Sequence, residues 1–543
     1  MTLTETRPEP APTVAATAVT ESWPASADHK KLGLTYMVVS MLLLVVGAVL
    51  GELVRIRLST EASTLLGNSF FRTSEMHATL TALLFLGPLW LGISTYIVPL
   101  QIGASRLALP RLHSFALWLY VTGSAIVVAG YCVNSPGGLN FTAALPPASR
   151  PGGANDAVIL IITGLIVVSL GTLFASIDLA VTILKLRTEG LTFLRLPMFT
   201  TATFATAVVA MLSTPVFIAG LLLLYLDQRT GGHLFSRGTG AGQYIWQHTL
   251  WLFGRPDIYL LTLPGLGAAC DIVATHARKP LLSRLGARTA ICLFALLSLG
   301  AWAAASGVQD AVILPTYTIA TALIALPIAI LALIWLGTAA TSTRPRFHVS
   351  VLFVLGFLGL LVLGAANAVV VAFKHLTPGD GAWTVAHVHV VAFGAPTLLA
   401  FAALYHWAPK ILGRHLSAFA GGLVFLLLFG GFAIVGLGSY LVGYNHGPAD
   451  ASRYVDTGLL TASRIAATGG VLVLLGVVVF LADAVRSSSG SGRSAGADPY
   501  EGQTLEWASA SPPPPHNFDS VPEVRSAQPL VDLRAVPTDG GAR

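Results

Sequence analysis

Repeated apolar runs of about 20 residues constrain this chain more than any other feature of its sequence. Crossing the hydrocarbon core of a bilayer takes about 20 apolar residues in an α-helix, and a helix pairs its own backbone N–H and C=O groups there. About twelve runs qualify, so we predict an all-α integral membrane protein with about twelve transmembrane helices. The runs lie near residues 34–53, 77–100, 112–133, 157–184, 200–226, 244–273, 289–308, 312–336, 349–373, 383–406, 419–442 and 459–485.

The charge content supports the same fold class. Only 10% of the residues are Asp, Glu, Lys or Arg, whereas a soluble domain carries about 25%. The net charge of +6 does not indicate a nucleic-acid partner, because the basic residues lie in short loops between apolar runs. The three cysteines, Cys132, Cys270 and Cys292, share no CxxC spacing, which argues against a disulfide framework or a thiolate metal site.

The loop charges also predict an orientation. Loops rich in Lys and Arg face the cytoplasm, and in this chain they fall on one side of the predicted bundle. We therefore expect a multi-pass protein of a bacterial cytoplasmic membrane with both termini inside. The basic loops include Lys30, Arg106, Lys185, Arg278, Arg344 and Lys410.

Polar ends flank the membrane domain. Residues 1–31 are rich in Thr, Pro, Ala and Glu, a composition typical of a flexible cytoplasmic tail. Residues 32–486 hold the apolar runs and form the predicted twelve-helix membrane domain. Residues 487–543 begin with Ser and Gly and contain four consecutive prolines, so we predict a disordered cytoplasmic tail there.

Three histidines lie within apolar runs, where ionisable groups are costly and call for an explanation. His77 opens the second run, and His387 and His389 lie early in the tenth. On an α-helix His387 and His389 point about 200° apart, so they cannot bind one metal ion but can serve two centres on opposite sides. This suits two haems flanking one helix. It suits interhelical hydrogen bonds equally well, and spacing alone does not decide.

Longer sequence motifs decide between haem binding and interhelical hydrogen bonding. The stretch Trp-Gln-His-Thr-Leu-Trp-Leu-Phe-Gly-Arg-Pro-Asp-Ile-Tyr at 246–259 closely resembles the sixth helix of subunit I of the haem-copper terminal oxidases. The resemblance extends in order over nearly all of 34–485, with the expected helix count. Other matching motifs are Val-Pro-Leu-Gln-Ile-Gly-Ala at 98–104, Ala-His-Val-His at 386–389, Pro-Lys at 409–410 and Gly-Arg at 413–414.

The resemblance implies roles for individual residues. His77 and His389 match the axial ligands of a low-spin haem, and His387 matches the proximal ligand of a high-spin haem. Arg55 falls near an arginine that contacts the low-spin haem in the family. Asp380 resembles an acidic residue at the outer edge of the propionates, where the family can bind magnesium. His248 also matches a family histidine, although not a metal ligand.

The residues expected to hold the family's copper ion are missing. Arg255 stands at the sixth-helix ligand, and Ala304 and Ala305 stand at the adjacent pair in the seventh helix. Arginine stays protonated and offers no lone pair, and alanine has no donor atom. Copper at the usual site is therefore not expected.

Other parts of the family's machinery are changed too. Tyr259 matches a redox-active tyrosine, but its covalent partner would be the histidine that Arg255 replaces. Asp257 stands where many members carry a glutamate that ends one proton path. Arg106 replaces the aspartate at the entrance of that path, and Leu331 replaces the lysine of a second path. Neither proton path is therefore expected to work as it does in the family. The arginine pair that grips the propionates is not recognisable, although Arg453 is a candidate substitute.

Arg255 has two interpretations. It could place a fixed positive charge over the open face of the high-spin haem and polarise a bound diatomic molecule or oxyanion. Alternatively, it forms an ion pair that keeps a charge within the bundle. A direct pair with Asp257 is awkward because residues two apart on a helix do not face each other.

The leading hypothesis is a haem-binding oxidoreductase or electron-transfer subunit with a bis-histidine haem and a second, five-coordinate haem, but without the copper. Partners would be further oxidase-type subunits and an electron donor, either cytochrome c, a cupredoxin subunit or quinol. Alternatives are a divergent terminal oxidase or nitric oxide reductase with a non-standard second metal, and a non-catalytic haem gas sensor.

Overall fold

The computed structural model describes residues 26–61, 64–133, 156–230, 260–301, 323–373, 382–448 and 451–535. These ranges form a bundle of helices, with a short π-helical segment at Val388–Gly394. The helices are α1 (His29–Leu58), α2 (Phe70–Leu83), α3 (Leu86–Gln101), α4 (Pro110–Cys132), α5 (Asp156–Lys185), α6 (Met198–Arg229), α7 (Leu260–Ala277), α8 (Arg284–Ala301), α9 (Ala325–Ala340), α10 (Val349–Phe373), α11 (Ala382–His387), α12 (Ala395–Leu412), α13 (Ala418–Tyr444), α14 (Thr457–Arg486) and α15 (Pro529–Ala535).

Membrane-spanning length is the main property that these helices share. In the described part of the chain, ten helical spans are long and apolar enough to cross a bilayer. Two of them are composite: Gly67–Gln101 contains α2 and α3, and Ala382–Leu412 contains α11, the π-helical segment and α12. The helices α8 and α9 border residues 302–322, which lie outside the described ranges. Each of the twelve predicted runs thus has a helical counterpart.

Helix α1 is placed by close packing against its neighbours. It packs against α2, α3 and α14. At the contact with α3, a Cβ added to Gly33 would lie 2.7 Å from the carbonyl oxygen of Gly92, and one added to Gly92 would lie 2.8 Å from that of Gly33. Small residues allow such close approach of helices in lipid. This packing fixes the second half of α1 beside α2, where the candidate site lies.

Two sets of buried polar groups are paired across helix interfaces. Asp271 of α7 accepts hydrogen bonds from the backbone N–H groups of Met198 and Phe199, which satisfies the first turn of α6. The His113 ring lies 2.9 Å from the Asp178 carboxylate, and both side chains are fully buried. These contacts tie α6 to α7 and α4 to α5.

The polar ends differ from their predictions. Helix α1 begins at His29, where Asp28 accepts a hydrogen bond from the Lys30 backbone N–H, so the helix starts inside the predicted tail of 1–31. Residues 1–25 and 536–543 lie outside the described ranges.

The predicted disorder of the C-terminal tail is wrong for residues 487–535. They pack against the end of the bundle formed by the start of α1 and the ends of α3, α7 and α12, which we call the basic end. Lys410 Nζ donates to the carbonyls of Ala497 and Ser509 at 2.9 and 2.7 Å, and Trp507 is 1% exposed. The Ser, Gly and Pro content masked a few apolar anchors and a set of backbone carbonyls that satisfy buried donors.

Candidate functional site

His77 and His389 face each other across the interface between α2 and the π-helical segment. Their ring centroids lie 6.0 Å apart and the ring planes differ by 13°. His77 Nδ1 donates to the Gly47 carbonyl at 2.8 Å, and His389 Nδ1 donates to the Val385 carbonyl at 2.8 Å. Because a carbonyl can only accept, each ring carries its hydrogen on Nδ1 and keeps the Nε2 lone pair for a ligand.

The spacing of the two rings fits a single metal ion between them. Two metal–nitrogen bonds of about 2 Å each would account for about 4 Å of the 6.0 Å separation, and the remainder is close to two imidazole radii. Both rings are only half-buried although they lie within an apolar bundle. The pair therefore fits the axial ligation of a haem iron, with the Nδ1 hydrogen bonds orienting the ligands.

Two glycines of α1 make room for the His77 ring. A Cβ added to Gly51 would lie 2.5 Å from Cε1 and 2.6 Å from Nδ1 of that ring. Gly47, one turn earlier, supplies the carbonyl that accepts from His77. Since any side chain at Gly51 would collide with the ring, this glycine determines how closely His77 approaches α1.

A charged pair lies next to the two histidines. Arg55 is an electrostatic neighbour of both His77 and His389. Its guanidinium lies 3.7 Å from the Glu52 carboxylate, and Glu52 is 5% exposed. The Glu52 and Arg55 side chains both approach Gly470 of α14 closely, so that a Cβ added there would collide with the Glu52 carboxylate and lie 3.0 Å from the Arg55 guanidinium. Arg55 thus brings a positive charge and several N–H donors to the edge of the site, where an anionic substituent of a cofactor would be stabilised.

His387 belongs to a separate set of contacts. It is the last residue of α11, and the π-helical segment that follows carries His389. The His387 ring stacks on Trp383, with centroids 5.1 Å apart, and its Nδ1 lies 3.3 Å from the Tyr440 hydroxyl of α13. Thus His389 faces α2 whereas His387 contacts α13. Segments with π-helical geometry are frequent at functional sites because they redirect side chains.

Several predicted site residues lie outside the described ranges. Two other predicted site residues lie within the described ranges: Arg106 is exposed in the loop between α3 and α4, and Leu331 is fully buried on α9. Arg453 is exposed ahead of α14. The residues outside are His248, Arg255, Asp257, Tyr259, Ala304, Ala305 and Asp380.

Sequence reasoning missed three side chains near the histidines. Glu52 had a usable signal, because it is a carboxylate inside an apolar run and precedes Arg55 by three residues, the spacing of a helical ion pair. Trp383 and Tyr440 had no such signal in the sequence. Both are common aromatic residues of membrane helices, and only the packing of α11 on α13 brings them to His387.

Comparisons with known proteins agree on one family. The family described as Cytochrome C and Quinol oxidase polypeptide I matches residues 31–477. A cytochrome c oxidase subunit 1 of Corynebacterium diphtheriae is 33% identical, with 96% of this chain and 94% of the relative covered. That of Corynebacterium glutamicum is 32% identical, with 96% and 91% covered.

The fold also matches a solved structure. A heme-copper terminal oxidase dimer studied by cryo-electron microscopy contains a chain with a TM-score of 0.70 and 19% identity. The match covers 85% of this chain and 84% of the other. Together with the paired histidines and the membrane-spanning helices, these matches identify the chain as a member of the haem-copper oxidase subunit I family.

Proposed function

We propose that this integral membrane protein carries one haem between His77 and His389 and a second on His387, and that it transfers electrons within an oxidase-type assembly. The observation that supports this most is the facing His77–His389 pair, with both Nδ1 atoms committed to backbone carbonyls. When bound, a haem with two imidazole ligands accepts and donates single electrons, whereas one with a single imidazole keeps an open position for a small diatomic molecule.

The chain's own residues orient and stabilise these groups. The Gly47 and Val385 carbonyls fix the ring orientations and raise the basicity of the ligating nitrogens. Arg55 supplies positive charge at the edge of the first site. The Tyr440 hydroxyl lies at hydrogen-bonding distance from His387 Nδ1 and holds that ring in place.

We also propose that the copper ion of the family is absent. Arg255, Ala304 and Ala305 provide no lone pair where its three ligands are expected. Reducing O2 to water takes four electrons, and without copper complete reduction is not expected. Arg255, Asp257 and Tyr259 would line the distal face of the second haem, where Arg255 supplies a fixed positive charge.

Proton pumping is not expected either. Arg106 and Leu331 stand at positions that carry an acid and a lysine in the family's proton paths. Asp380 is proposed as an outer magnesium ligand. The partners would be further oxidase-type subunits and a donor, which is cytochrome c, a cupredoxin subunit or quinol. Both termini would lie in the cytoplasm of a bacterium.

The test is a haem and copper count on the purified protein, combined with spectra of the reduced form with and without CO. We expect two haems and no copper. His387→Ala should abolish the CO-induced change and keep the low-spin signal, because only the second haem depends on that ligand. His77→Ala should remove the low-spin signal and keep the CO-induced change.

Three outcomes would contradict this proposal. About one copper per protein with cyanide-sensitive O2 consumption would establish a divergent terminal oxidase or nitric oxide reductase with a second metal held by other residues. A low-spin spectrum without any CO response would leave a single-haem relay. Reversible gas binding without turnover under any donor would establish a sensor.

A further inference from the structure

A polar cavity lies at the opposite end of the bundle from the histidine pair. Its volume is about 500 Å³, and it opens between the start of α10, the turn from α12 to α13 and the end of α14. The docked tail closes one side through Arg493 and Tyr500. We call it the rim pocket. It shares no residue with the proposed haem sites, so it does not depend on the proposed function.

The rim pocket carries net positive charge. Arg486 and Arg493 both line it. Arg486 is paired with Asp483, whose second oxygen accepts from the Ser417 backbone N–H, so this carboxylate is fully engaged. Among the described residues no carboxylate forms an ion pair with Arg493, whose side chain is exposed. The pocket therefore lacks an anion that balances Arg493.

Two helix N-termini add to this charge. Helices α10 and α13 begin at Val349 and Ala418, and both residues line the rim pocket. One amide in each first turn is already capped, because the Ser350 N–H donates to His348 Nδ1 and the Ala420 N–H donates to Ser417 Oγ. The partial positive charge of the two helix N-termini still favours an anion, and it adds to the arginine donors that suit phosphate oxygens.

A buried hydroxyl points independently to a ligand. Tyr405 lines the pocket, is 3% exposed, and its hydroxyl has no hydrogen-bond partner among the described residues. Leaving a buried polar group unpaired costs about 1–3 kcal/mol. An acceptor atom in the pocket would offset that cost.

The mouth of the pocket is apolar and exposed. Phe347, which lines it, is 83% exposed, and Phe419 in the first turn of α13 is 84% exposed. A free inorganic anion would leave these aromatic rings exposed, whereas the acyl chains of a lipid would cover them. We propose that the rim pocket binds the phosphate group of an anionic phospholipid through Arg493, Arg486 and Tyr405, with the acyl chains along Phe347 and Phe419.

The test uses the full-length, haem-loaded protein in detergent, titrated with phosphatidylglycerol or with phosphatidylcholine of the same chain length. Bound lipid is counted by native mass spectrometry. We expect saturable phosphatidylglycerol binding that Arg493→Gln weakens about fivefold, because one basic side chain near an anionic lipid surface contributes about 1 kcal/mol. Tyr405→Phe removes a single oxygen atom and should also weaken binding.

Arg525→Gln is the matched control, because Arg525 is another exposed arginine of the tail but pairs with Glu523 away from the pocket. It should leave the affinity unchanged. Equal binding of phosphatidylcholine, or full binding by both Arg493→Gln and Tyr405→Phe, would overturn the proposal. Inorganic phosphate that competes at millimolar concentration would establish a free-anion site and overturn the lipid assignment.

Discussion

At the scale of single residues, Gly51 determines the position of the His77 ring. Gly51→Ala would place a methyl group 2.5 Å from Cε1 of His77, so the ring must move away from α1. Alanine otherwise favours a helix by about 1 kcal/mol over glycine, so a loss cannot come from helix propensity. We expect the low-spin haem signal to fall strongly in the absorption spectrum.

Gly430→Ala is the control for this prediction. Gly430 lies within α13, and a Cβ there would meet no atom within 4 Å. This variant should keep the wild-type spectrum and haem content. A Gly51→Ala protein with an unchanged low-spin signal would show that the ring is not held against α1.

The histidines themselves could be predicted from the sequence, but their hydrogen-bond acceptors could not. His77, His387 and His389 stand out because ionisable residues are rare in apolar runs and because their motif is specific. Their Nδ1 partners include the backbone carbonyls of Gly47 and Val385, which have no side-chain signature. Only the packing of α1 on α2 and the π-helical geometry bring those oxygens within reach.

At the scale of elements, the docked tail should respond to pH through Glu506. Its carboxylate accepts hydrogen bonds from Gln101 of α3 and Trp407 of α12, and Asp271 and Lys410 are its charged neighbours. Burial, reinforced by Asp271, raises the pKa of Glu506 from 4.5 to about 7. The docked carboxyl therefore keeps a proton that the undocked one loses between these values.

Docking of the tail is strongest below pH 4.5, weakens as the pH rises towards 7, and changes little above that. The free energy of docking differs by about 3 kcal/mol between the two ends of this range. Amide hydrogen exchange around residue 506, corrected for intrinsic rates, should show weaker protection at pH 8 than at pH 5. Glu506→Gln should remove this dependence. Equal protection of the wild-type tail at both values would contradict the prediction.

The helices were predictable and the tail was not, for different physical reasons. A transmembrane helix needs about 20 apolar residues whatever surrounds it, so each run identifies one. The tail is held by sparse anchors such as Leu505 and Trp507 and by acceptors for Lys410. Composition averages over such anchors, and their partners lie about 100 to 490 residues away in the chain.

At the scale of the whole molecule, the two ends of the bundle should behave independently. Helix α1 connects them, since His29 hydrogen-bonds the tail residue Asn517 and Gly51 contacts His77. These positions are 22 residues apart (51 − 29), or about 33 Å along a helix. Effects at sites this far apart with no shared partner are usually additive.

Ending the chain at Ser494 tests this independence. The truncation removes three carbonyls that accept from Lys410, the Asn517 partner of His29 and the Glu506 partner of Gln101. The loss leaves the donors of Lys410 and Gln101 and the acceptor nitrogen of His29 without these partners. Each buried polar group left unpaired costs about 1–3 kcal/mol, so the thermal midpoint should fall clearly. Haem content and the low-spin spectrum should stay at wild-type values, because the His77–His389 pair keeps all its contacts. A chain ending at Ala535 retains the docked tail and should match the wild type in both measurements. If the shorter protein instead lost haem while still folded, the basic end would be coupled to the histidine pair through α1.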